Sequence, residues 1–429
     1  MRSLRFVFLI TLSAHSVFSQ DTLALDQAIR IALENNNILK VSNKLKEISS
    51  KDVTLGNSGF LPVVSIGATN TIANNDIRQE LTDGRVIVRD NAKANNFTGN
   101  ASLNWMLFDG MRRNNMYSRL KFLYVQADAQ TKVDIENTIG NVTNAYFELV
   151  RQKEIEEAYI SNLNLYQERL RLAEARQTSG LTSKSDVLLT RVDINTQRSI
   201  LLRQQILIEN ASVNLNQVLN RDVKTQVKVS KNEARPVIDT NVIFSGRSNA
   251  LTVTESDINI ADKQLREINS DFFPKLNLIA AYNYTRNQSQ AGLTLLNRST
   301  GPSIGLGFSW NIFDGFNKNR VRNAGLLRID IARYLHEENK LTQYAAYQKA
   351  MVQYKTAVKI LTLEQESFAL ARESNEIAKQ RYQAGSINLF EYKDTQLALE
   401  ASKVRLANAR FDTMATETEI NRLNGQLIK

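Results

Sequence analysis

Trp105-Met106-Leu107-Phe108-Asp109-Gly110 returns as Trp310-Asn311-Ile312-Phe313-Asp314-Gly315, 205 residues further along the chain. The same separation relates Arg176 and Gly180 to Arg381 and Gly385. Upstream, Phe60-Leu61-Pro62 has its counterpart in Phe272-Phe273-Pro274, 212 residues away, so a seven-residue length difference falls in the segment between. A spacing held over so long a stretch, with the change confined to one segment, is the mark of an internal duplication. Each half then reads as a helix, a pair of strands, a very long helix and a returning helix.

The strands are read from period-two alternation. Residues 97–107 place Phe97, Gly99, Ala101, Leu103, Trp105 and Leu107 on one side, with Thr98, Asn100, Ser102 and Asn104 on the other. Residues 303–312 set Ile304, Leu306, Phe308, Trp310 and Ile312 against Ser303, Gly305, Gly307, Ser309 and Asn311. Residues 276–285 carry Leu276, Leu278, Ala280, Tyr282 and Tyr284 on one face, and the strand after Pro62 alternates less regularly. One apolar and one polar face means a strand with one side against something oily. Lengths near ten residues suit a tilted membrane-spanning strand, and Trp105, Trp310, Tyr282 and Tyr284 suit an aromatic girdle. The polar segments 73–96 and 286–302 are expected to be long external loops. A soluble antiparallel sheet packed on helices is the competing reading.

The helices are predicted from steps of three and four. The first covers Leu25 to Leu55 and its counterpart Thr254 to Ser270, each ended ahead of the proline that opens the strands. After each Phe-Asp-Gly a proline-free helix follows, from about Asn114 to Thr178 and from Asn317 to about Gln383. Each is about 100 Å long at 1.5 Å per residue. Tyr159, Leu163, Tyr166, Leu170 and Ala173 form one apolar seam, and Tyr344, Tyr347, Met351, Tyr354, Val358 and Leu361 the other, as in coiled coils. The chain turns back at Gly180 and at Gly385, and residues 187–219 and 389–424 return, with Leu201, Ile208 and Leu215 seven residues apart.

Four strands in one chain cannot close, and an open sheet edge in hydrocarbon leaves backbone groups unpaired at several kcal/mol each. Copies must therefore pool their strands. Two copies give eight strands with a filled interior, whereas three give twelve and room for water. The expected fold class is an α+β membrane protein, an oligomeric transmembrane β-barrel with four strands per protomer continued by a long helical coiled-coil barrel.

Composition narrows the function classes. The 429 residues contain no cysteine and two histidines, His15 and His336, which disfavours thiol chemistry, histidine-based metal sites and catalytic triads. No enzyme, cofactor or metal is expected. Residues 1–19 join Arg2 and Arg5 to an apolar run, Phe6 to Leu12, and end in Val17-Phe18-Ser19, the pattern of a secretory signal peptide. Net charge is +10 (54 Lys and Arg against 44 Asp and Glu), read as solvated helix faces rather than a nucleic-acid surface. The predicted division is 1–19 signal peptide, 20–58 N-terminal periplasmic helix, 59–108 first β-hairpin and 109–220 first helical hairpin. Residues 221–270 are the equatorial segment and its helix, 271–313 the second β-hairpin, and 314–429 the second helical hairpin with the C-terminal helix.

In order and spacing these motifs resemble the TolC-like outer-membrane efflux factors across nearly the whole chain. The carriers are the two Phe-x-Pro strand starts, the two Trp-x-x-Phe-Asp-Gly strand ends, Gly180-Leu181-Thr182 with Asp186-Val187-Leu188, Arg381-Tyr382-x-x-Gly385, and Leu406-Ala407-Asn408-Ala409-Arg410-Phe411. The resemblance implies an outer-membrane homotrimer with a twelve-stranded barrel, a periplasmic helical tunnel and a mixed equatorial region near 221–256. It also implies a periplasmic adaptor, an inner-membrane pump and outer-membrane lipid as partners, in tripartite efflux or type I secretion.

Residue by residue, the resemblance implies a pore constriction at Glu391 and Asp394, six and nine residues after Gly385. It implies a tip lock at Asp186 and Tyr382, with Ile387 where the family's best-known member has an arginine. A lock of Tyr382–Asp186 hydrogen bonding and Ile387 packing is therefore expected, less sensitive to salt than an ion pair. Gly180, Leu181, Thr182, Gly385 and Ser386 are expected to touch the adaptor, although glycine in such turns also simply supplies positive φ. Two rival functions stand beside this: a coiled-coil envelope scaffold or adhesin without channel activity, and a basic coiled-coil nucleic-acid binder if residues 1–19 are retained.

Overall fold

The structure, a computed structural model, describes residues 22–230, 244–290 and 294–428. The signal reading of residues 1–19 and part of the equatorial segment lie outside the described residues. In chain order the elements are α1 (Leu25–Asn35), α2 (Asn37–Asp52), β1 (Val63–Glu80), β2 (Val86–Phe108), α3 (Arg112–Thr178), α4 (Lys184–Val218), α5 (Asn249–Asn269), β3 (Lys275–Ser289), β4 (Leu296–Ser309), α6 (Asn317–Gln383) and α7 (Leu389–Leu423). No helix among the described residues is long and apolar enough to cross a membrane.

The chain divides into two compact units, one of described residues 22–37, 135–230 and 347–428, the other of 38–134, 244–290 and 294–346. The second unit holds the antiparallel sheet β1-β2-β3-β4. Its register sets Ile66 beside Ala101, Ala101 beside Tyr282 and Tyr282 beside Pro302. Two residues along, Val64, Leu103, Ala280 and Ile304 share a row on that face. The rows between are Ser65, Ser102, Ala281 and Ser303, and Gly67, Asn100, Asn283 and Gly301. The two-sided alternation expected from sequence is thus kept across all four strands, β1 included.

The segments expected as loops, 73–96 and 286–302, are mostly strand: β1 runs on to Glu80 and β2 starts at Val86, while β3 reaches Ser289 and β4 starts at Leu296. Polar side chains do not end a strand whose backbone groups are paired, and here the ladder continues with one irregularity between Asn75 and Ile77. At the other end, Trp310 to Ile312 lie beyond β4.

In the same unit, α2 packs on α3 through Lys46–Asp128 at 2.5 Å, and α5 packs on α3 through Arg119–Glu267 at 2.7 Å. The opposite side of α5 meets α6, where His336 Nδ1 and Thr254 Oγ1 are 2.9 Å apart. The order across this layer is α2, α3, α5, α6.

The expected helix Leu25–Leu55 is interrupted at Asn36, whose ψ of 121° is not helical. Three consecutive asparagines, Asn35 to Asn37, compete for backbone hydrogen bonds there, which weakens the helix locally. The amide of Asn220 occupies the gap, donating to the Asn35 carbonyl at 2.9 Å.

The other unit is built on α3, α4, α6 and α7, with Ala28, Ala32, Val142, Tyr146, Leu149 and Leu215 in its core. Gln204 of α4 donates to the Gln152 carbonyl of α3 at 2.8 Å, and Arg410 of α7 meets Glu154 of α3 at 3.1 Å. Arg405 of α7 meets Glu364 of α6 at 3.0 Å. The order is α4, α3, α7, α6. The seam on α3 differs from the expected one: Gln152, Ile155, Ala158, Asn162, Tyr166, Arg169 and Ala173 are buried, while Tyr159, Leu163 and Leu170 are half-buried. A helix with neighbours on two sides buries a wider stripe than a two-stranded coiled coil, so polar residues are drawn in.

Candidate functional site at the hairpin tips and strand faces

At the tip both long helices end the same way. Gly180, at φ 72°, and Gly385, at φ 77°, follow the last helical turns. Leu181 N–H donates to the Arg176 carbonyl at 2.8 Å and Gly180 N–H to Gln177 at 3.0 Å. Ser386 and Gly385 repeat this on Arg381 at 2.9 Å and Tyr382 at 3.1 Å. These paired bonds form a Schellman motif, which requires the left-handed residue that glycine supplies. Leu181 and Ser386 are exposed and Thr182 is half-buried, so the expected adaptor residues form an accessible rim.

Each return helix ties an acid of its first turn to its N-cap residue. Ser183 caps α4 by accepting from Asp186 N–H at 3.2 Å, and the Asp186 carboxylate accepts from the Thr182 hydroxyl and from Ser183 N–H. Asn388 caps α7 by accepting from Glu391 N–H at 2.9 Å and donates its amide to the Glu391 carboxylate at 3.0 Å. Asp186 and Glu391 are 205 residues apart, so an expected lock acid and an expected constriction acid hold equivalent places in the two hairpins. Such reciprocal caps satisfy backbone donors that the first turn leaves open. Asp394 is exposed one turn beyond Glu391.

Tyr382 is 2 % exposed and Ile387 is 8 % exposed; both pack with Ala378, Leu389 and Tyr392, against Leu172 of α3. The Tyr382 and Tyr392 rings stack at 5.2 Å between centroids. Arg176 reaches from α3 to this cluster, donating to the Tyr382 carbonyl at 3.0 Å with its guanidinium 4.9 Å from the ring centre. Burial pushes the Tyr382 hydroxyl up; the Arg176 guanidinium opposes this and the Asp186 carboxylate adds to it. Burial pushes Tyr392 up to about 12. Both phenols therefore stay neutral and able to donate at physiological pH. The structure thus groups Tyr382 with Ile387, and ties Asp186 to its own turn.

Sequence reasoning missed the polar cluster behind the tip. Arg169, fully buried, bonds Asp193 at 2.6 Å and Gln396 at 2.9 Å, and Lys393 takes the other Asp193 oxygen at 2.8 Å. The signal was a charged residue three positions after Tyr166 and four before Ala173, on the seam itself.

On the sheet, the apolar face runs from Leu276 to Tyr284, eight residues or about 26 Å at 3.3 Å each. Arg286 and Arg298, opposite each other, end it on one side. Phe97 and Tyr284 meet edge to face at 5.8 Å near that border. Near the other border Trp105 donates its indole N–H to the Phe60 carbonyl at 2.9 Å, and Trp310 does the same to Phe272 at 3.1 Å. Tyr282 stands in between, exposed. An apolar band of this height fits the roughly 25 Å of a barrel's outer surface.

Known proteins share this build. Protein CyaE of Bordetella pertussis is 22 % identical over 350 residues, covering 79 % of this chain and 70 % of its own. The CmeC outer membrane channel of Campylobacter jejuni superposes with a TM-score of 0.79 at 19 % identity, over 94 % of this chain and 86 % of that one. The outer membrane protein VceC of Vibrio cholerae gives 0.78 at 15 % identity, over 94 % and 96 %. The sequence profile of the outer membrane efflux proteins matches residues 28–221 and 245–426; the chain belongs to that family and is an outer-membrane channel protein for export.

Proposed function

We propose that three copies close into one passive export duct, a twelve-stranded barrel continued by a helical tunnel. The observation that carries this reading is what the outermost elements expose. In the sheet-bearing unit, α2 presents Ile38, Val41, Leu45 and Ile48 to solvent, and α6 presents Leu327, Ile331, Tyr334 and Leu341. In the other unit, α4 presents Val192, Ile206 and Val213, and α6 presents Leu363, Leu370 and Ile377. The stripes follow steps of three, four, seven or, from Val192 to Ile206, two sevens, the spacing of a helix seam awaiting a partner. Among the described residues, the outer edges of β1 and β4 have no neighbouring strand in the sheet.

The two edges of each layer differ, so like cannot meet like. Contacts between unlike edges make a heterologous interface, which closes into a ring when the rotation permits. Three copies supply twelve strands, enough for an aqueous lumen lined by the Ser, Asn, Gly and Thr rows. Supporting the duplication, α3 and α6 each have 67 residues and α4 and α7 each have 35.

Export through such a duct is gated at the tip. Glu391 and Asp394 supply six carboxylates around the axis in three copies, repelling anions and favouring cations. Asp186, Tyr382 and Ile387 hold the hairpins closed, with Ile387 packing in place of a salt bridge. The rim of Gly180, Leu181, Thr182, Gly385 and Ser386 receives a periplasmic adaptor, which links the duct to an inner-membrane pump of efflux or type I secretion. Trp105, Trp310, Tyr282 and Tyr284 anchor the sheet in outer-membrane lipid. Native mass measurement of the detergent-extracted protein tests the ring: three copies are expected, and a single copy overturns it.

A further inference from the structure

The long helices correspond without slip: α3 and α6 begin 205 residues apart, and so do α4 and α7. In the ring just proposed, on which this inference rests, each copy offers an outer α6 to the outer α4 of the next. Shifting by 205 residues turns α3 into α6 and α7 into α4. The contact between copies is then the repeat image of the α3–α7 contact inside one copy.

The internal contact is a ladder of polar rungs. Lys403 of α7 donates to the Ser161 hydroxyl of α3 at 2.9 Å, Arg410 meets Glu154 at 3.1 Å, and Arg169 meets Gln396 at 2.9 Å. At the tip, beside this contact, Arg176 of α3 holds the Tyr382 carbonyl of α6. Carried across the repeat, Ser161 and Lys403 become Glu366 and Arg198, a fully complementary charge pair. The Arg176 contact becomes Arg381 of α6 facing the Gln177 carbonyl at the end of α3 in the next copy. The Arg169 rung becomes Ser374 facing Arg191. Two pairs map less well: Arg410–Glu154 becomes Gln205 opposite Lys359, and Glu168 of α3 with Lys379 of α6, 3.2 Å apart, becomes Glu373 opposite Glu174. The Glu373–Glu174 clash is relieved inside the copy, because Arg191 already pairs with Glu174 at 2.9 Å.

Glu366 and Arg198 are both exposed, and neither enters an ion pair of one copy among the described residues. We propose that the Glu366 carboxylate of one copy pairs with the Arg198 guanidinium of the next, fixing the register of α6 on α4 between copies. Arg381 plays between copies the part that Arg176 plays within one. A bidentate arginine–carboxylate pair adds geometric specificity to an apolar seam that alone tolerates sliding. The repeat therefore builds alternate interfaces of one geometry with different side chains.

The chain has no cysteine, which makes the test clean. Glu366→Cys and Arg198→Cys are placed together in the full protein, extracted in detergent, and treated with a short thiol-specific cross-linker. Covalent dimers and trimers are expected. The displaced pair Glu366→Cys with Arg191→Cys, one heptad away, is expected to stay uncrosslinked. Linking through the displaced pair alone overturns the register. A three-copy mass without linking at 366 and 198 overturns the pairing and leaves the ring intact, whereas a single-copy mass removes the ring itself. As a second readout, Glu366→Arg is expected to lower the fraction of trimer surviving mild SDS severalfold, and adding Arg198→Glu to restore it. Failure of the double swap to restore the trimer counts against the pair.

Discussion

The guanidinium of Arg169 on α3 lies fully buried against the Asp193 carboxylate of α4 at 2.6 Å and the Gln396 amide oxygen of α7 at 2.9 Å. One side chain thus ties three helices together behind the tip. Its Nε has no partner among the described residues, so the arrangement gives up one hydrogen bond to gain the other two.

Breaking a buried pair by removing one partner leaves a charge uncompensated, at a cost of about 3–5 kcal/mol. Lys393 still reaches Asp193 at 2.8 Å, so Arg169→Met is expected at the lower end, about 3 kcal/mol, in denaturant unfolding of the detergent-solubilised protein. Arg169→Lys is expected to recover little, since a point charge cannot serve two acceptors in fork geometry. A loss within about 0.5 kcal/mol, the size of an ordinary surface change, contradicts the assignment.

Gly110 and Gly315, 205 residues apart, share a φ of 69°, yet their surroundings differ. A Cβ on Gly110 would come within 2.6 Å of the Ser270 carbonyl oxygen, whereas one on Gly315 meets nothing within 4 Å among the described residues. Gly315→Ala is therefore expected to cost only the left-handed strain, about 1–2 kcal/mol. Gly110→Ala adds a backbone clash and is expected to cut the yield of folded protein. Equal effects in thermal melts contradict this reading of the turn.

Asp186 serves both its cap and the proposed lock, and the two parts separate by mutation. Ser183→Ala removes the capping hydroxyl and is expected to cost about 1 kcal/mol without changing conductance. Asp186→Ala is expected to enlarge the single-channel conductance in planar bilayers. An unchanged conductance removes Asp186 from the lock.

Much of this was legible in residue types. The Phe-Asp-Gly repeats fixed where strands give way to helices, and Gly180 and Gly385 marked the turns, because each needs a backbone only glycine takes up easily. The strand lengths were not legible: beyond Asn74 and beyond Arg286 the side chains turn polar while the ladder continues, and backbone pairing leaves no trace in composition. Asn36 hid inside a helical pattern for a related reason, since one ψ angle breaks a helix without breaking its periodicity. Arg169 was hidden because a charged residue on a seam reads as an interruption until its partners on α4 and α7 are known.

Glu400 on α7 is half-buried, and burial raises its pKa while the Gln197 amide partly opposes the shift. A carboxyl raised in the folded state holds its proton there longer than in the unfolded chain. Its charge therefore costs no stability below the ordinary carboxylate range, and the cost grows as pH rises through the folded value. Glu400→Gln is expected to raise the melting temperature at neutral pH and to leave it unchanged near pH 4. A gain that persists at acid pH contradicts burial as the cause.

In the proposed duct, copies of this chain enclose water across a membrane. The most direct test of this is the current through a planar bilayer after adding the purified, detergent-extracted oligomer. Discrete steps with a preference for cations, weakened in Glu391→Gln with Asp394→Asn, are the expected result. A correctly folded oligomer that inserts and passes no current contradicts the account.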